Sequence, residues 1–356
     1  MPKKLKRYNS DFMSRKMDEQ LGLLEEKLTA LYANAANGVK AEFTDFMAQY
    51  EAKDLQKRAM VEAGKITEAE YEAWRANTIL TTEKYKATVA SITDMLVHTD
   101  VAAMALVRGE LPLVVAESYN FTKALGFYAA DKAGLSQGTF EVYNARTVQS
   151  LLKDNKALLP SVNLPEDKKW NKDRINREIT QGIVKGESIP DIADRLQAVT
   201  NMDRNAAIRN ARTAMTGAEN MGRSEAAADM REKGVPVKEQ WSATLDDRTR
   251  ETHLLLDGTY KDEEGYFGVG IIETPLQYPA DPAGDPEEIY NCRCRLSIRL
   301  GGIDHSQDGD LYEKFMKENW PEDYKAMKTS ERELDRAEQR YDAIQSQADM
   351  RAGRRI

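Results

Sequence analysis

The stretch NCRCR (291–295) holds Cys292 and Cys294, the only two cysteines among 356 residues. Their spacing admits four kinds of chemistry. A Cys-x-Cys disulfide closes a very small, strained ring. A nucleophilic cysteine needs a general base, and His253 is the candidate. A metal centre needs converging donors. Cys292, Cys294 and His253 supply three, and Asp246 stands as the fourth, with Asp247, Asp257 and Asp281 as its competitors. Such a set would take a structural zinc, and no other cofactor is indicated. The fourth reading is plain burial of two small side chains, a common fate of free cysteine. Spacing alone favours burial over ligation, because Cys-x-Cys with one distant His is a much weaker signal than paired Cys-x-x-Cys.

These side chains need elements to hold them. NCRCRLSIRL (291–300) alternates, so it reads as a strand with Cys292, Cys294, Leu296 and Ile298 on one face. VPVKEQWSA (235–243) carries β-formers and Trp241, a second strand. TLDDRTRETHLLLDG (244–258) reads as a turn and a short helix stopped by Gly258. Arg248, Thr249, Arg250 and His253 lie at helical spacings at its start, with Asp246 or Asp247 as cap. Arg248 and Arg250 are expected to fork onto Asp257 or Asp281. Between them, TYKDEEGYFGVG reads as a hairpin or loop, and the four prolines of ETPLQYPADPAGDPEE resist regular structure. A unit of about 60 residues with few aliphatics needs polar clamps or a metal to hold it.

The rest of the chain reads as helix. Met17, Leu21, Leu24, Leu28 and Leu31 form one stripe, and residues 11 to 130 follow suit. Thr67 and Glu70 make a capping box. Pro112 marks a break or kink in an Ala/Val/Leu-rich segment. Ile175, Ile179 and Ile183 sit one turn apart, Gly186 closes that helix, and Ser188 with Asp191 opens the next. A third helix is expected from Asp203 to Gly234. The last segment is a charged helix with a thin stripe at Tyr324, Met327, Leu334, Tyr341 and Ile344. The expected fold is therefore mainly α: long N-terminal helices (1–155), a helical hairpin plus long helix (168–234), a small α+β unit (235–300) and a C-terminal helical extension (301–356).

Composition narrows the class. Charged residues are 31% and hydrophobic ones 41%, with mean hydropathy −0.64. No uninterrupted apolar run suggests a membrane span, and MPKKLKRYNSDFMSRK lacks the apolar core of a secretory signal. Two cysteines and no signal fit a reducing compartment. The net charge of −8 excludes a general nucleic-acid coat. The basic ends KKLKR and RAGRRI are of the type that lies on phosphates or acidic protein surfaces.

Three blocks, in order, resemble a known family. They are ARTAMTGAENMG (211–222), the run from Trp241 through Asp247, Arg248, Thr249, Arg250, His253 and Asp257 to Gly258, and a Pro/Asp loop leading into Asn291, Cys292, Arg293 and Cys294. Together they resemble the phage head morphogenesis proteins, the Mu F-like minor head proteins, over residues 170–300. One position departs: the glutamate that usually follows the threonine of the first block is Ala214 here, and Glu219 is no obvious substitute. The resemblance implies a minor head protein of a tailed bacteriophage, associated with the portal vertex, acting in head morphogenesis and in DNA packaging or ejection. It implies the portal protein and major capsid protein as partners, with packaged DNA met by the basic termini. The protein would be made in the host bacterial cytoplasm and reside in the virion. The helix bearing Arg212, Thr213 and Asn220 is the docking candidate.

Two rivals stand beside this. One is a metal- or thiol-dependent, toxin-like enzyme built on His253 and Cys292 or Cys294. No second His or Glu at an instructive spacing completes a catalytic set, so a non-enzymatic role is expected. The other is a DNA-binding protein using Arg195, Arg204, Arg209, Arg212 and Arg223. Acidic residues interleave with these arginines, leaving no one-sided basic face.

Overall fold

Long apolar stripes become long helices. The computed structural model describes residues 12–135, 164–185, 187–300, 308–326 and 328–329. Helix α1 runs Phe12–Glu62, α2 Glu68–Arg75 with a π-helical turn Ala76–Leu80, and α3 Glu83–Lys132. Helix α4 spans Leu164–Val184 and α5 Ile189–Glu232. Strand β1 (Val237–Ser242) and strand β2 (Arg295–Leu300) enclose the short helices α6 (Glu251–Leu256) and α7 (Pro286–Ile289). Helix α8, Asp308–Asn319, follows. The mainly α architecture with a small sheet near the C-terminal region is the one expected.

The starts of the helices follow local chemistry. Thr67 and Glu70 exchange capping hydrogen bonds, as do Ser188 and Asp191, and Thr82 caps α3 by accepting from the Tyr85 N–H. The stripe on α1 buries Met17, Leu24 and Leu28 against Val107, Leu111 and Val114 of α3 and Met215 of α5. A second core joins Val39, Phe43 and Met47 to Ile92 and Leu96, and to Ile175, Ile179 and Ile183.

Several elements depart from expectation. Pro112 does not break α3: Leu111, Val114 and Val115 are all buried beside it, and their packing outweighs the cost of an interior proline, its lost hydrogen bond and ring clash together worth about 3 kcal/mol. No separate helix opens at Asp203, because α5 is continuous, with Leu196 and Val199 anchored in one core and Ala211 and Met215 in the other. By length and composition α3 has a stretch apolar enough to cross a bilayer, against the expectation of none. Here it lines both cores of the helical body. Strand β2 starts only at Arg295, so Cys292 and Cys294 precede it.

The two strands pair antiparallel, with Trp241 opposite Leu296 and Val237 opposite Leu300. Trp241, Leu256, Phe267, Leu276, Tyr278, Cys292 and Cys294 form the core of the small unit. Helical structure resumes at 321–326, where the charged helix was expected. Of the boundary expected at 155–168, residues 164–168 already belong to α4, while 155–163, Gly186, the basic ends, and Met327, Leu334, Tyr341 and Ile344 of the thin stripe lie outside the described residues or their described side chains.

Candidate functional site

The site begins with a turn. Asn291 adopts a left-handed conformation (φ 55°), which asparagine tolerates better than most residues. Its backbone N–H donates to Thr213 Oγ1 at 3.1 Å. The turn delivers Cys292 and Cys294 inward and leaves Arg293 between them, facing outward. Both thiols are free and buried. They face the same atom: His253 Nδ1 lies 3.7 Å from Cys292 Sγ and 3.4 Å from Cys294 Sγ. His253 is 1% exposed and points inward from α6, with the Trp241 ring edge-on at 5.2 Å. On the far side of the imidazole, Nε2 lies 3.0 Å from Glu288 Oε2. That contact is close but poorly aligned, since Nε2 makes no hydrogen bond of good geometry. Thr252 Oγ1 donates to the same carboxylate oxygen at 2.9 Å.

Electrostatics splits the thiol pair. The hydrogen bond from Cys292, helped by His253, pulls the Cys294 thiol well below its ordinary value. Cys294 beside it, together with burial, pushes the Cys292 thiol up. One proton shared between two sulfurs favours a thiolate at Cys294.

Asp246 is not part of this cluster, contrary to its assignment as fourth ligand. Arg293 donates to both its carboxylate oxygens at 2.6 Å, and the Arg248 backbone N–H adds a third bond at 3.0 Å. The Arg293 guanidinium beside it holds the Asp246 carboxyl well below the usual carboxylate range. The short helix also starts later than expected, with Arg250 at its N-cap and no side-chain cap. Asp246 closes the preceding turn instead, with Thr249 bonded to it and to the Thr244 carbonyl. The expected forks onto Asp257 and Asp281 do not form. Arg250 donates to the Tyr290 carbonyl, and Arg248 turns back on Asp246. Asp257 accepts from the Ala243 N–H, and Asp281 from the N–H groups of Gln277 and Ala283. Gly258 donates its N–H to the Trp241 carbonyl, lacing the end of α6 to β1. Asp247 is exposed.

The docking candidate, α5, contacts this unit within the chain itself. Asn220 is fully buried; its Nδ2 donates to the carbonyls of Pro279 and Cys294, and its Oδ1 accepts from the Leu296 N–H. Those bonds replace strand pairing at Cys294. Gly217 and Gly222 permit close approach: a Cβ would lie 2.7 Å from the Ala280 carbonyl oxygen at one and 2.6 Å from that of Val115 at the other. Arg212 forks onto Glu25 of α1 at 2.6 and 3.0 Å. Each marked residue of ARTAMTGAENMG therefore joins two parts of the fold.

Sequence reasoning missed two carboxylates. Glu219 is fully buried and binds Arg295, Arg223 and Ser14, tying β2 to α5 and α1. Its one sequence signal was its place in the α5 block. Glu288 sits in the short helix α7 at the end of a proline-rich stretch, among other acids, with no spacing signal to mark it. The arginines weighed for DNA binding are largely engaged within the chain: Arg195 with Glu178 and Glu187, Arg209 over the Tyr290 ring, and Arg223 with Glu219.

Comparison with known proteins adds the following. A 172-residue stretch is 28% identical to Minor head protein GP7 of Bacillus phage SPP1, covering 46% of this chain and 52% of that protein. A 146-residue stretch is 28% identical to the NAD(+)–arginine ADP-ribosyltransferase EFV of Enterococcus faecalis, covering 40% of this chain and 29% of that protein. A 161-residue stretch is 29% identical to the uncharacterized protein YqbB of Bacillus subtilis, covering 44% of this chain and 50% of that protein. The chain thus spans about half or less of the length of these curated relatives. No solved structure matches it. Residues 173–297, which run from within α4 through α5 and the Cys/His cluster into β2, match the model of the phage Mu protein F like family.

Proposed function

We propose that this chain is a minor head protein of a tailed bacteriophage, a structural component of the virion that acts in head morphogenesis at the portal vertex. The match of residues 173–297 to the phage Mu F-like family carries this reading. The 28% identity to the SPP1 minor head protein supports it. In this reading the helical body presents its charged outer faces to portal and major capsid subunits, and the Mu F-like domain braces that body. The chain is made in the host cytoplasm and enters the particle during assembly, and the basic ends meet packaged DNA.

A non-enzymatic role fits the cluster. A nucleophilic Cys294 would have to meet a substrate, yet it is 1% exposed, and its base His253 is equally buried. The similarity to an ADP-ribosyltransferase makes a direct assay worthwhile: incubation with NAD and an arginine-rich acceptor is expected to give no transfer.

Co-expression with the portal and major capsid proteins of the virus that encodes it tests the proposal. The chain should co-sediment with assembled heads and dissociate from them only under denaturing conditions. Heads that assemble normally while the chain stays in the unassembled fraction would overturn the proposal.

A further inference from the structure

We propose that Cys292, Cys294 and His253 bind one zinc-class divalent cation through their two thiolates and the imidazole Nδ1, with Glu288 as the outer partner of the imidazole. The proposal stands independently of the head-protein reading. The three donor atoms all lie within 4.8 Å of one another, and all three side chains are buried.

The distances are those of ligands around one ion. Zinc holds sulfur at about 2.3 Å and imidazole nitrogen at about 2.0–2.1 Å in a tetrahedron, so neighbouring S and N donors stand about 3.5 Å apart. The two observed Sγ–Nδ1 separations, 3.4 and 3.7 Å, bracket that edge. Hydrogen bonding alone explains the arrangement less well. A single Nδ1 either donates one proton or offers one lone pair. It serves two sulfurs at once only through a weaker, shared bond, whereas a cation among the three serves all of them fully.

The surroundings complete the case. Glu288 at Nε2 favours the tautomer with its proton on Nε2, which leaves the Nδ1 lone pair free for a metal. A carboxylate behind a ligating histidine is the usual outer partner of such a site, and cation binding would draw the loosely aligned Nε2–H toward it. The donor set is soft, two sulfurs and one nitrogen, which selects zinc over magnesium or calcium. The ligands come from two segments of the small unit that are 39 and 41 residues apart, so an ion would staple α6 to the turn before β2. Ligation as thiolates releases the thiol protons to solvent, so binding should weaken as pH falls.

The test uses the full-length chain, purified with a reductant but without chelator. Elemental analysis should find about one zinc per chain, and thiol titration after denaturation should find both cysteines reduced. A chelator should lower the melting temperature by on the order of 10 °C, and restored zinc should raise it again. Cobalt in place of zinc should give a thiolate-to-metal charge-transfer band that disappears in Cys294→Ser. Should that variant fail to fold, Glu288→Gln keeps all three ligands and should weaken zinc binding about 10- to 100-fold. The proposal is overturned by a chain that holds no zinc and melts at one temperature with or without it. A Cys292–Cys294 disulfide in the reduced preparation overturns it equally, as does zinc that stays bound when the cysteines are replaced.

Discussion

The helical body and the small C-terminal unit are held together in opposite ways. In the body, side chains such as Leu28, Phe43, Ile92 and Ile179 are fully buried in continuous apolar cores. In the small unit, the core around Trp241 and Phe267 is fringed by polar clamps: Arg293 on Asp246, Asn220 on three backbone groups, and Glu239 shared by Arg231 and Lys261. Area burial stabilises the first without regard to direction. The second depends on geometry, so one lost partner leaves a buried polar group unsatisfied. The difference teaches where the chain tolerates change. The body should absorb conservative apolar swaps, and the unit should not absorb the loss of a single buried donor or acceptor.

The contrast can be broken from either side. Phe43→Ala removes a fully buried ring from the body and should cost about 3–5 kcal/mol, read from the denaturant midpoint. Phe43→Leu, closer in volume, should cost much less. In the unit, Asn220→Ala strands the Cys294 and Pro279 carbonyls and the Leu296 N–H, and should cost about 2–4 kcal/mol despite the small volume removed. A cost below that of an ordinary surface substitution would mean the polar clamp is dispensable. Gly222→Ala drives a Cβ against the Val115 carbonyl and should cost about 1–3 kcal/mol, measured by thermal melting, by forcing α5 away from α3.

The smallest effect belongs to Asp246→Asn. Both partners of the Asp246–Arg293 fork are about a third exposed, so solvent screening limits the loss to about 1 kcal/mol. Its pH dependence has a definite sign. The folded-state carboxyl is depressed, so its contribution is complete above the ordinary aspartate range, about pH 4, and is lost as pH falls below it. Wild type and Asp246→Asn should therefore converge in stability in acid and diverge at neutral pH, as equilibrium denaturation at several pH values would reveal.

Periodic and local features were legible in the sequence. The isoleucines of α4, the two capping boxes and the start of β1 all follow from spacing within a turn or two, where physical rules are strong. Residue type alone also placed Cys292, Cys294 and His253 together as candidates. The partners of the charged residues were not legible. Arg293 finds Asp246 across 47 residues and Arg295 finds Glu219 across 76, and nothing local distinguishes those carboxylates from their neighbours. The expected breaks at Pro112 and Asp203 failed for a related reason. Local punctuation there is overridden by packing between elements far apart in the chain.

Native-state hydrogen exchange of wild type and Asn220→Ala tests most directly whether the small unit hangs on α5 by polar geometry. Amides of β1 and β2 should lose protection in the variant, while those of α1 and α3 keep theirs. Unchanged protection in β1 and β2, or an equal loss across α1 and α3, would contradict it.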